Sequence, residues 1–335
     1  MQRGAPNDDS DRPRQSAAEP GKRGASHVMW IDPAGVAGPA WTRMARVTST
    51  ETRPTLAGYP RVYEPQIRYS DLDPSRRVGR EALFRWFEDV RVDVFQNALP
   101  SRGERGAHLA AAIGLDVRAP LRIAEHYRVG YGISRVGRSS FAWAYGVFDG
   151  DELVATGTST SVYAEDERPA ALSGQVREAL AALYAPELTS VPRPERPAAR
   201  LVRENYPFRY DVRTRFGDLD TNRHVNNVAL AGWYLDGLAE LHTDVLGYPE
   251  GGPLDGLSPS DLAVEYRSVV HYPGIYQLRV GVLDVDDTGV RYACGLFDGA
   301  TCLGLADASG AVRAADGEGA DVDLRAAFER FRMRG

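Results

Sequence analysis

Between Arg215 and Asn227 the chain reads RFGDLDTNRHVNN, which puts Asp218, Asp220, Asn222, His224 and Asn226 on alternate positions. In an extended segment their side chains share one side. A carboxylate, an amide and an imidazole at i, i+2 and i+4 can serve as base or nucleophile, orienting group, and acid or electrophile. The competing role is structural, because Asp and Asn satisfy the orphan N–H groups of a helix N-terminus. A cap needs one acceptor and gains nothing from an imidazole. Asp220, Asn222 and His224 are therefore read as a catalytic set, and Asp218, Asn226 and Asn227 chiefly as turn and cap.

Other chemistries are poorly served. There is no GxSxG nucleophile elbow and no GxxxxGK[ST] phosphate loop. The glycines at 130, 132 and 137 have the wrong spacing for a dinucleotide fingerprint and lie in strand-like sequence. Six histidines form no HxH or HExxH pattern, and no metal site is expected. Cys294 and Cys302 offer neither a disulfide framework nor a zinc ligand set, and read as small buried hydrophobes. A net charge of −6 gives no drive towards nucleic acid or an anionic membrane. No apolar run approaches the roughly 20 residues of a membrane span, and no signal peptide is recognisable. The expectation is a soluble, cytoplasmic protein.

The elements that must position the motif are strand, turn and helix. An alternating strand over residues 206–216 enters it, and the apolar run VALAGWYLDGLAELHTDVL (228–246) leaves it as a helix. The same arrangement occurs earlier. At an offset of 147, IRYSDLDPSRRVGREALFRWFEDV (67–90) matches TRFGDLDTNRHVNNVALAGWYLDG (214–237), and at 149 YGVFDG (145–150) matches CGLFDG (294–299). Ordered identities at nearly one spacing indicate a duplicated domain. Each copy reads as a strand over 62–69 or 206–216, a helix over 82–95 or 228–246, and then a meander. The meander strands are 113–118, 122–136, 139–149 and 152–164, then 261–268, 274–285, 289–298 and 301–306, with Asp-Gly hairpins. One helix against an antiparallel meander predicts an α+β fold in which the sheet wraps the helix.

The expected domains are a disordered tail over 1–57, a first domain over 58–190, a linker over 191–200, a second domain over 201–312, and a C-terminal tail over 313–335 with a short helix near 324–332. Arg, Pro, Ser and Gly dominate the first segment, and Pro and charge the linker. Copy one carries Ser75, Arg77 and Gly79 where copy two has Asn222, His224 and Asn226, so its site is read as degenerate.

DLDTNRHVNNVALAGWYLD (218–236), EYR (265–267) and, more weakly, DLDPSRRVGREALFRWFED (71–89) with GRSSFAWAYGVFDGDELVATGTSTSVY (137–163) resemble the hot-dog thioesterases. The resemblance is to the 4-hydroxybenzoyl-CoA thioesterase-like group and to acyl-ACP thioesterases with two fused hot-dog domains. It implies a tandem double hot-dog that hydrolyses an acyl-CoA or acyl-ACP thioester without a cofactor, and leaves a homodimer of double hot-dogs open. The family's catalytic carboxylate matches Asp220, and residues catalytic in the acyl-ACP branch match Asn222 and His224. A Glu-Cys pair of that branch is replaced here by Val269 and Val270. Asp73, Asn226, Trp233 and Glu265 are the candidates for substrate contact. Asp220 either attacks the carbonyl or activates water. The rival readings are an acyl-carrier or acyl-CoA binding module without catalysis, and a hot-dog dehydratase or hydratase.

Overall fold

The computed structural model describes residues 54–99, 106–123, 126–166, 168–188, 196–248, 257–286, 289–311 and 323–334. Residues 1–53 of the expected tail and 191–195 of the expected linker lie outside that description. The first half runs β1 (Arg61–Tyr63), α1 (Arg80–Asn97), β2 (Gly106–Val117), β3 (Tyr127–Val136), β4 (Ser140–Asp149), β5 (Glu152–Glu165), β6 (Arg168–Pro169) and α2 (Gly174–Ala181). The second runs β7 (Phe208–Arg213), α3 (Asn227–Leu246), β8 (Asp261–Tyr266), β9 (Ile275–Asp286), β10 (Gly289–Asp298), β11 (Thr301–Gly310) and α4 (Leu324–Phe328).

Both long helices are held by an apolar stripe. Leu83, Trp86, Phe87, Val90 and Val94 of α1 are buried, as are Leu230, Trp233, Tyr234, Leu238 and Leu241 of α3. Phe87 stacks on Tyr145 of β4 at 4.4 Å between centroids. β-Bulges bend the strands that pack on these helices. One is at Ser134 of β3, between Ile133 and Arg135, and its counterpart is at Leu283 of β9, opposite Arg291/Tyr292. Others sit at Val147/Phe148 and at Leu296/Phe297, again equivalent positions. An extra residue raises local twist and curvature, so matched bulges curve both halves alike.

The strand order is β1-β3-β4-β5-β2-β8-β11-β10-β9-β7, with β6 pairing β5. Two equivalent sheets therefore join through antiparallel β2 and β8, from Ala112↔Glu265 to Asp116↔Asp261. At offset 149 Gly114 corresponds to Ala263, and these two residues are paired with each other. The pseudo-twofold axis passes between them. The joint removes an open edge from each half, and the molecule is a double hot-dog of the α+β class.

Several elements differ from their sequence reading: β3 begins at Tyr127 rather than 122, β7 is confined to Phe208–Arg213 rather than 206–216, and β11 runs to Gly310 rather than 306. Strand β1 is three residues, and Glu64–Arg68, which include Pro65 with no N–H to give a ladder, form no regular element before the helical turn at Tyr69–Asp71. Strand β2 begins seven residues early, in GAHLAAA, where alanine carries little strand signal. The expected linker ends in ordered structure: residues Ala198–Leu201 form a 3-10 turn. There Arg196 and Arg200 are almost fully buried against Asp307 and, for Arg196, Glu265, at 2.6–2.7 Å. In the C-terminal segment Phe328 is buried, and the Met333 N–H donates to the Val282 carbonyl on β9.

Candidate functional site

The DLD turn is a backbone device that both copies share. In copy two the Asp220 N–H donates to the His224 carbonyl at 2.9 Å, and the Arg223 N–H to the Asp220 carbonyl at 3.0 Å. Arg223 has φ 62°, a left-handed conformation that closes the turn. Copy one repeats it: the Asp73 N–H donates to the Arg77 carbonyl at 2.7 Å, and Arg76 has φ 58°. The aspartate side chain belongs to the turn in both. The Arg77 N–H donates to Asp73 Oδ1 at 3.0 Å, and the His224 N–H to Asp220 Oδ1 at 3.4 Å. Since Ser75 and Arg77 support the same turn as Asn222 and His224, the turn does not require an amide or an imidazole.

In copy two the turn is more heavily dressed. The Asn222 N–H and its Nδ2 donate to Asp220 Oδ1 and Oδ2 at 2.8 and 3.2 Å. The His224 ring lies edge-on to His271, 5.5 Å between centroids. Asp218 is buried and structural, accepting the Arg215 N–H at 2.8 Å. Asn226 is the N-cap of α3, where its Oδ1 accepts the Val228 N–H at 2.6 Å.

A cavity of about 680 Å³ opens over this turn, between the two halves. Asp220, Asn222, His224 and Asn226 are in its wall, together with Val269 and Val270. Three expected contacts lie elsewhere. Trp233 is core, stacked on Tyr276. Glu265 is held by Arg196 at 2.6 Å and Arg267 at 2.8 Å in the ion-pair cluster behind β8. Asp73 is in the other turn. None of the three belongs to the cavity wall.

The opposite wall comes from the first half, which the motif alone could not reveal. Glu88 and Arg91 of α1 face the start of α3. Glu88 Oε1 accepts Asn226 Nδ2 at 2.9 Å and Asn227 Nδ2 at 2.8 Å. Arg91 Nη2 donates to Asn227 Oδ1 at 2.9 Å. The Tyr266 hydroxyl donates to the Asn227 carbonyl at 2.6 Å, and burial pushes its pKa well above the usual tyrosine value. It stays a neutral donor. The two copies did carry a signal for this wall. At offset 147 Glu88 and Arg91 correspond to Leu235 and Leu238, so α1 is charged where its twin is apolar.

Residues 202–246 match the family model of the acyl-ACP thioesterase C-terminal domain, a span that contains the turn and α3. No curated protein sequence matches the chain. Among solved structures, a protein described as an oleoyl thioesterase from Lactobacillus plantarum is similar at TM-score 0.59 and 17% identity, over 76% of this chain and 95% of that one. The 12:0-ACP thioesterase from Umbellularia californica is similar at 0.56 and 16%, over 74% and 95%. An acyl-ACP thioesterase from Bacteroides thetaiotaomicron is similar at 0.57 and 13%, over 74% and 96%. At these identities the structures speak for the fold, the tandem hot-dog, and the family model for the site-bearing segment.

Proposed function

We propose that the protein hydrolyses an acyl thioester to a free acid and a thiol, with the chemistry carried by Asp220, Asn222 and His224. The observation that supports this reading is the cavity over the second turn, in whose wall the three residues stand together at the start of α3. The match of residues 202–246 to an acyl-ACP thioesterase domain points the same way.

Asn222 fixes the Asp220 carboxylate, which either attacks the thioester carbonyl or takes the proton of an attacking water. In the first route an Asp220–acyl anhydride forms as the C–S bond breaks, and water then cleaves it to the free acid. In the second, the C–O bond to water forms as the C–S bond breaks, and Asp220 passes the proton on to solvent. In both, the leaving thiolate is protonated by His224 or by solvent. The developing oxyanion lies at the positive end of α3, where first-turn N–H groups and the helix dipole favour negative charge. The carrier is CoA or an acyl carrier protein. Val269 and Val270 supply no further acid, base or nucleophile. The test is thiol release from a panel of acyl-CoAs and acyl-carrier proteins. Binding of the acyl carriers without thiol release favours the non-catalytic module instead.

A further inference from the structure

The hydrolytic set leaves the charge on the far wall without a role. Arg91 is 4% exposed, and its Nη1 is buried and makes no hydrogen bond among the described residues. Its protein partners are neutral, Asn227 Oδ1 and the Tyr145 hydroxyl. Burial raises the pKa of the Tyr145 hydroxyl, 2.9 Å from Ser159 Oγ, and the Arg91 charge and a hydrogen bond between the two side chains partly offset it. A buried guanidinium with a donor unmet is costly, and such groups are normally paired or hydrogen-bonded. The fold does not demand it, since Leu238 fills the equivalent place in α3 and is fully buried.

A second donor faces the same cavity. Ser161 of β5 is 1% exposed and lines it. Its Oγ accepts Trp143 Nε1 at 3.0 Å, so the serine's own hydrogen is left to donate. Beside the polar Glu88, Gln96 and His108, the remaining wall from the first half is apolar, with Val92, Phe95, Leu109, Ala110 and Val162. An alkyl chain satisfies these five and leaves both donors desolvated and unmet.

We infer that the cavity takes an acyl group carrying an oxygen acceptor on its chain, a carboxylate, carbonyl or hydroxyl, read by Arg91 Nη1 and Ser161 Oγ. This rests on the thioesterase reading, and it makes Arg91 a specificity-determining residue. The guanidinium grips the substrate away from the scissile bond, while the α3 N-terminus serves the reacting carbonyl.

The test compares plain, hydroxy- or oxo-substituted, and ω-carboxyl acyl-CoAs of matched chain length. Oxygenated esters should show the higher kcat/KM, and the best substituent identifies the acceptor. A hydrogen bond to a charged group is typically worth about 10–100-fold, so Arg91→Met should lower the oxygenated-to-plain ratio by about that factor. Arg91→Lys should lower it less. Ser161→Ala should lower it about 3–10-fold, and it keeps the proposal testable if Arg91→Met does not fold. A wild-type preference for plain chains that neither variant changes overturns the inference. So does an equal loss on every ester in Arg91→Met, which would place Arg91 on the reacting carbonyl. Should no thioester be cleaved, the functional reading falls, and titration of the matching free acids by calorimetry tests the cavity alone. Tighter binding of oxygenated acids, lost in Arg91→Met, supports it; equal binding of plain acids overturns it.

Discussion

Asp73 and Asp220 are the same residue in the same turn with different surroundings, and that pair separates structure from chemistry. Asp220 is an acceptor that the turn uses, so Asp220→Asn should keep the fold while losing the carboxylate. Loss of a base or nucleophile costs about 10²–10⁴ in rate, and turnover should fall by that factor with a nearly unchanged melting temperature. His224→Ala should lower turnover by a smaller factor if the ring only orients. Asp73→Asn should leave turnover within a few-fold, because Ser75 and Arg77 complete no hydrolytic set beside it. Equal inactivity of folded Asp73→Asn and Asp220→Asn would place chemistry in the first turn. At this scale the trio could be read from sequence because it is local, three polar types within five residues. Glu88 and Arg91 were marked in the sequence only as charges where the other copy has Leu235 and Leu238, and their role could not be read there, since it depends on how α1 of one half meets α3 of the other. Trp233 was misleading for the converse reason: a helical stripe does not say which of its aromatics faces a cavity.

Helices α1 and α3 could be read from their apolar period, and the hairpins from Asp-Gly, but contacts between distant elements could not. Gly157 of β5 shows the cost of one such contact. A Cβ there would lie 2.1 Å from the Phe87 ring, which is stacked on Tyr145 and cannot retreat. Gly157→Ala should lose about 1–3 kcal/mol through overpacking, measured by urea unfolding. The ordered end of the linker is a second case. Pro and charge content suggested a loose connection, yet Arg196 and Arg200 are buried on Asp307 of β11. Removing one partner of a buried pair strands the other charge. Asp307→Ala should therefore cost about 3–5 kcal/mol. A loss below about 1 kcal/mol would mean that water replaces the carboxylate and the clasp is loose.

Across the whole molecule, duplication was evident from the two offsets, whereas which strands join the halves was not, because β2 is alanine-rich and β8 is short. Their joint carries a pH-dependent fault. Asp261 and Asp116 are cross-strand partners beside the pseudo-twofold axis, and like charges so placed are destabilising. Arg118 Nε lies 3.3 Å from Asp116 Oδ2, while Asp261 accepts from the Ser309 hydroxyl and has Asp307 nearby. Burial, which the Ser309 hydrogen bond only partly offsets, pushes the Asp261 carboxyl up to about 6. In the unfolded chain it titrates near 4. Between those values the folded protein keeps a proton that the unfolded chain has released, so folding is favoured at the lower pH. Asp261 thus contributes its full stabilisation below about pH 4 and loses it as pH rises through 6, a change of order 2–3 kcal/mol. Asp261→Asn cannot ionise. Its stability relative to wild type should be close to zero or slightly negative at pH 4.5, and positive by about 1–3 kcal/mol at pH 7.5, in paired urea titrations. Because the joint is the sole strand ladder between the two sheets among the described residues, proteolysis at pH 7.5 should report the same gain. A variant that gains nothing at pH 7.5 would show that the Asp116–Asp261 contact is solvated, and that the joint draws its strength from the apolar ladder Ile113, Leu115, Leu262 and Val264 alone.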